Sequence, residues 1–254
     1  MIAKWFSLVI ALSAVGLTLY MVQRGKQGKT AYLRELPAVA AIPEAVRRAT
    51  EMGRAVFYSP GGKSITHGTY GAATMAGLTI LRYVSKLCAE ARTPMEIYIC
   101  GAASMPIAAE AVRLGTIESG NPDEEARQKI HYIGEAENEL VMGAAMIREK
   151  AGASIQFGDA GSTTLLVISA AAYAGIFQIM GNTQEQPWLP AMCDYFVMCD
   201  GPQAAAAYVS GEAETTNTIL GTDILKIGVV VLIMIGVVLQ LAGINVTTLL
   251  MGDI

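Results

Sequence analysis

Apolar positions along this chain follow two patterns. At each end runs an unbroken apolar stretch, and between them short apolar runs alternate with mixed polar segments. Trp5 to Val22 is 18 residues without a charge, and Ile227 to Met251 is 25. At ~1.5 Å rise per helical residue these reach about 27 and about 37 Å, enough to cross a ~30 Å hydrocarbon core. Both are expected to be membrane helices, with a folded body between them.

The body reads as alternating strands and helices. Pro43 opens a helix with Glu44 in its first turn, and Gly53 closes it. Strands are expected at Ala55–Tyr58, Met95–Cys100, Lys129–Ile133, Ser154–Phe157 and Tyr195–Met198, each ending near a glycine. Helices are expected over Tyr70–Arg92, Met105–Leu114, Glu137–Lys150, Ser162–Met180 and Pro202–Ser210, with a short one after Asn121-Pro122. Short apolar strands alternating with helices predict an α/β fold built on a parallel, doubly wound, Rossmann-like sheet. Right-handed crossovers place the glycines after the strands on one edge, where open α/β sheets bind ligands. Ser162 to Gln184 carries no charge, so a third membrane span competes there with a buried helix.

The expected organisation is an N-terminal anchor at 1–24, a basic linker at 25–42, an α/β domain at 43–222 and a C-terminal transmembrane helix at 223–254. Charge orients it. Only Lys4 precedes the first run, whereas Arg24, Lys26, Lys29 and Arg34 follow it, and Lys226 enters the second run from the body side. By the positive-inside rule the body is cytoplasmic and both termini lie outside. A cleaved signal peptide is the alternative for the first run, but no Ala-x-Ala-like site precedes a polar mature start. A net charge of −4 and a pI near 5.3 give no electrostatic footprint for nucleic acid. Cys88, Cys100, Cys193 and Cys199 show neither a Cys-x-x-Cys pair nor zinc-site spacing, and are read as thiols, with a Cys193–Cys199 interaction as the alternative.

Candidate chemistry is sparse. Ser59-Pro60-Gly61-Gly62-Lys63-Ser64 follows a strand, and its last three residues match the end of a phosphate-binding loop, in which backbone N–H groups wrap the anion. The full motif needs a glycine where Phe57 stands, so an anion site competes with a plain turn. The strand-end acids Glu135, Glu137, Asp159 and Asp200 either converge on the ligand edge or cap the following helices. His67 and His131 are the two imidazoles, and no nucleophile elbow, zincin motif or dinucleotide fingerprint accompanies them. No cofactor or metal is expected. In the anchors, Ser7, Ala11, Ala14 and Thr18 form one small-residue face, as do Gly228, Gly236 and Gly243; Gln240 and Asn245 are polar within the span. Such faces and polar groups point to helix packing within the bilayer.

The stretch Ala41–Gly61, AIPEAVRRATEMGRAVFYSPG, resembles a family of uncharacterised prokaryotic membrane-anchored proteins with an Ala/Gly-rich body. The resemblance implies an inner-membrane setting and brings no catalytic residue with it. The expected function is therefore a non-enzymatic membrane component that self-assembles or scaffolds a complex, its partners being the bilayer and further copies or subunits. The alternative is a small-molecule or nucleotide-binding regulator, or a cryptic enzyme, using the strand-end crevice.

Overall fold

The computed structural model describes residues 2–27, 34–134, 137–159 and 161–241, with backbone alone for residues 2–7, 9 and 10. The chain divides into two compact units, Met1–Leu33 with Gly211–Ile254, and Arg34–Ser210.

The second unit is a six-stranded sheet, all parallel, flanked by helices. In chain order its elements are α2 (Pro37–Ala40), α3 (Ile42–Glu51), β1 (Val56–Ser59), α4 (Gly71–Glu90), β2 (Met95–Ile99), α5 (Met105–Glu118), β3 (Gln128–Tyr132), α6 (Asn138–Glu149), β4 (Ala153–Gly158), α7 (Thr164–Tyr173), β5 (Phe177–Asn182), α8 (Leu189–Met192), β6 (Tyr195–Met198) and α9 (Gly201–Ser210). The strands lie in the order β3-β2-β1-β4-β5-β6, that of the doubly wound dinucleotide-binding folds. β1, β2 and β4 are buried at every position, whereas β3 and β6 at the sheet edges are partly exposed. That difference explains why the central strands are continuous apolar runs: both faces are covered. One face carries Ile42, Val46, Ile80, Leu81, Val84 and Val112 from α3, α4 and α5. The other carries Met142, Met146, Val167 and Ala171 from α6 and α7, packed on Phe57 and Tyr98.

The structure corrects the sequence reading at two elements. The helix expected over Ser162–Met180 is α7, ending at Tyr173, followed by the separate strand β5. Gly175 at φ +64° turns the chain out of the helix in the left-handed region that glycine adopts without steric cost. The Gln178 side chain then donates to the carbonyls of Ile168 and Met192, tying β5 to α7 and α8. A helix of 10 residues followed by a strand is not a membrane span. The residues after Asn121 form a 3-10 segment, Pro122–Arg127, rather than an α-helix.

The first unit pairs α1 (Ile2–Lys26) with α10 (Ala213–Leu241). A Cβ at Gly25 would lie 2.7 Å from the Cα of Glu214, and one at Gly221 would lie 3.2 Å from Cγ of Met21. Contacts that climb one helix as they descend the other mean the two run antiparallel. Met21, Thr216 and Asn217 are buried in this contact. Among the described residues, α10 is the one helix long and apolar enough to cross a membrane. Gly228 and Gly236 on α10 face open space, Gln240 is exposed, and so is Ala11 on α1. Thr18 donates to the Ala14 carbonyl at 2.9 Å. Ser7 is described by its backbone alone, and Gly243 and Asn245 lie outside the described residues.

Candidate functional site

The strand order reverses direction between β1 and β4, the point at which doubly wound sheets open a crevice at the C-terminal edge. The glycine turn read from the sequence follows β1, and Gly158-Asp159 ends β4 beside it. The two loops meet backbone to backbone. Gly61, at φ +106°, would place a Cβ 2.7 Å from both N and O of Asp159, and a Cβ on Gly158 would overlap the Pro60 carbonyl oxygen. Only glycines allow this approach.

That contact uses groups a phosphate loop would offer to an anion. Gly62 N–H donates to the Asp159 carbonyl at 2.7 Å, and Gly61 N–H donates to Ser59 Oγ at 3.3 Å. Ser64 Oγ lies 3.0 Å from Thr66 Oγ1, and Ile65 N–H donates to Ser104 Oγ.

Two carboxylates are buried here. Asp159 is fully buried and accepts from Gln184 Nε2 at 3.1 and 3.4 Å. Burial pushes its carboxyl above the ordinary range; the Gln184 hydrogen bond and the charges of Lys63 and His67 oppose this without cancelling it. Glu139, in the first turn of α6, is the second. Its Oε1 accepts from Thr164 Oγ1 at 2.8 Å, its Oε2 accepts from Thr163, and Oε1 lies 2.9 Å from where a Gly62 Cβ would stand. The starts of α6 and α7 are thus joined to the β1 turn through one carboxylate.

Beside Glu139 sits Asn138. It is completely buried, and among the described residues neither Nδ2 nor Oδ1 has a hydrogen-bond partner. More than nine in ten buried polar groups are paired in native proteins, so this amide stands out in a place where a ligand is expected.

The other sequence candidates disperse. Glu135 lies outside the described residues. Glu137 occupies the N-cap of α6 without making a side-chain cap. Asp200 follows β6, three strands from β1. His67 stacks on Tyr70, while His131 bonds Glu96 at 2.5 Å and stacks on Tyr98 at the β2–β3 edge. Among the described residues no group of three or more His, Cys, Asp or Glu side chains is placed to hold a metal. None of the four cysteines is in a disulfide, and burial pushes the Cys88 and Cys193 thiols up to about 12. Asn138, Glu139, Thr163, Thr164 and Gln184 went unnoticed in the sequence. Their one signal is the pairing of an amide with an acid at a helix start, which is also how ordinary helices begin.

Neither a curated protein nor a solved structure matches the chain. The model of a domain of unknown function, DUF6754, matches residues 1–251, and the chain belongs to that family.

Proposed function

We propose that this protein is a membrane-anchored α/β module that binds a small polar ligand in the crevice between the ends of β1 and β4. The observation that carries the reading is Asn138, a buried amide with no partner among the described residues, one residue from a carboxylate that touches the glycine turn. Buried titratable and polar groups gathered at a switch point are the physical signature of a ligand site. Gly61, Gly62, Lys63, Ser64 and Asp159 form its floor in this reading, with Glu139 and Asn138 as its wall. The acceptor-rich wall favours a ligand that brings hydroxyl or amine donors.

The anchoring belongs to the same proposal. α10 supports one span, and the antiparallel pairing of α1 with it supports a second, with both termini on one side. The basic residues after the first run then favour a cytoplasmic body in a prokaryotic inner membrane.

Full-length protein in mild detergent, screened by thermal unfolding against nucleotides, sugars and amino acids, tests the site. A ligand at a hundredfold excess over its Kd adds about 2.7 kcal/mol. A shift lost in Asn138→Leu supports the crevice; no shift with any class at millimolar concentration refutes it.

A second reading, self-assembly, is favoured by the outer face of α6 and α7. Leu140 (58% exposed), Ile147, Leu166 and Tyr173 (89%) are open there, and α7 carries no charge. Oligomeric mass in detergent tests it.

A further inference from the structure

The last turns of α1 carry a polar face. Tyr20, Gln23, Arg24 and Gln27 recur at i, i+3, i+4 and i+7, so all four project from one side. They line a cavity of about 320 Å³. Among the described residues Arg24 has no carboxylate partner and no acid lines the cavity. Toward the N-terminus the stripe that ends at Gln23 is apolar, running through Leu12, Gly16 and Leu19 at i, i+4 and i+7. Gly16 meets open space there, and Leu12 and Leu19 are each 63% exposed.

A cation, two amides and a phenol above an exposed apolar strip match one kind of molecule, an amphiphile with an anionic head and an acyl chain. We propose that this face binds an anionic phospholipid, its phosphate accepting from Arg24, its glycerol oxygens accepting from Gln23, Gln27 and Tyr20, and its chain lying along Gly16, Leu12 and Leu19. Arginine suits the phosphate because its planar donors engage two oxygens at once. The volume is near the lower end of ligand pockets, about 300 Å³, which fits a headgroup with the chain left outside. Tyrosine at the end of an apolar run marks the headgroup level, and the basic side of the membrane is where anionic lipid concentrates. The site rests on α1 being a membrane helix, not on the crevice binding a ligand.

The test uses full-length protein in nanodiscs of phosphatidylglycerol and phosphatidylcholine in equal amounts, followed by native mass spectrometry of the retained lipid. Phosphatidylglycerol should be retained preferentially by the wild type. Arg24→Gln should weaken that preference about tenfold, the loss of one charge-assisted contact. Lys26→Gln removes the same charge from a residue that does not line the cavity, and should leave the preference within about twofold. Equal losses in the two variants would show diffuse attraction to a charged surface and overturn the site, as would equal retention of both lipids by the wild type. Glycerol 3-phosphate displacing the lipid at millimolar concentration would show an ion site without chain recognition, and overturn it too. Failure of the protein to float with vesicles would remove the membrane premise instead. The crevice ligand shift, measured on Arg24→Gln, should be unchanged, which separates this proposal from the other.

Discussion

Asn138→Leu is the perturbation that separates a ligand-binding crevice from an ordinary strand-end loop. Asn138 is fully buried at the start of α6, with both amide atoms unpaired among the described residues. In mutational terms an amide buried without partners costs ~1–3 kcal/mol. Leucine has the same number of side-chain heavy atoms and the same branching, so it removes that cost with only modest added bulk. The unliganded protein should therefore gain ~1–3 kcal/mol, and a domain of this size gains about 2–4 °C in midpoint per kcal/mol. The same substitution removes a donor and an acceptor from the crevice, so any ligand-induced rise should disappear. Thermal unfolding of the full chain in mild detergent, with and without ligand, reads both. A loss of more than ~1 kcal/mol without ligand would mean the amide is already satisfied, and the argument for a ligand at this point would be wrong. A gain with the ligand response intact would leave Asn138 a structural imperfection away from the site.

Further outcomes follow from the same geometry. Burial holds the Asp159 carboxyl above its ordinary 3.8, so the folded state takes up its proton more readily than the unfolded chain. That contribution is fully present below pH 3.8 and is lost as pH rises through the folded value. Asp159→Asn, which mimics the neutral form, should therefore gain on the wild type as pH rises toward neutrality; a gap that narrows instead would reverse the sign. Gly77→Ala should cost at least ~2 kcal/mol, because its Cβ would overlap the Phe157 carbonyl and lie 2.8 Å from the Cα of Pro60; an unchanged midpoint by chemical denaturation would contradict that contact. Cysteines introduced beside Ile2 and Asp253 should label from outside intact cells while one at Asn121 stays protected, and neutralising Arg24, Lys26 and Lys29 together should weaken that orientation. Labelling at Asn121 with protection at Ile2 would invert the topology. Gly236→Leu meets open space in the single chain, so it should leave the body folded and lower only the oligomeric mass; a wild type monomeric in several mild detergents would remove the assembly reading.

Where the sequence could be read, and where it could not, follows from what each residue type constrains. β1, β2 and β4 were legible because a strand covered on both faces must be an apolar run, and nothing else about its surroundings is needed. β5 was not. Between Ser162 and Gln184 no charge or proline interrupts the chain, so the Ala-rich helix and the strand after it carry no contrast in period. Gly175 was the only available marker of the break, and a lone glycine inside an apolar run is tolerated by helices as well.

The site divides along the same line. Gly61, Gly62, Lys63 and Asp159 could be singled out because glycines and acids directly after strands lie on the ligand edge of any parallel sheet. Glu139 and Asn138 enter only through a tertiary fact, namely that β4 pairs with β1 instead of extending the sheet beyond β3. That choice carries α6 back across the sheet and sets its first turn against the β1 glycines, where Glu139 takes its hydrogen bonds from Thr163 and Thr164. Alternation of strands and helices is the same for every order in which the strands could be laid down. The crevice is therefore a property of the strand order, and its most informative residue, an asparagine unpaired among the described residues, acquires meaning only once that order is known.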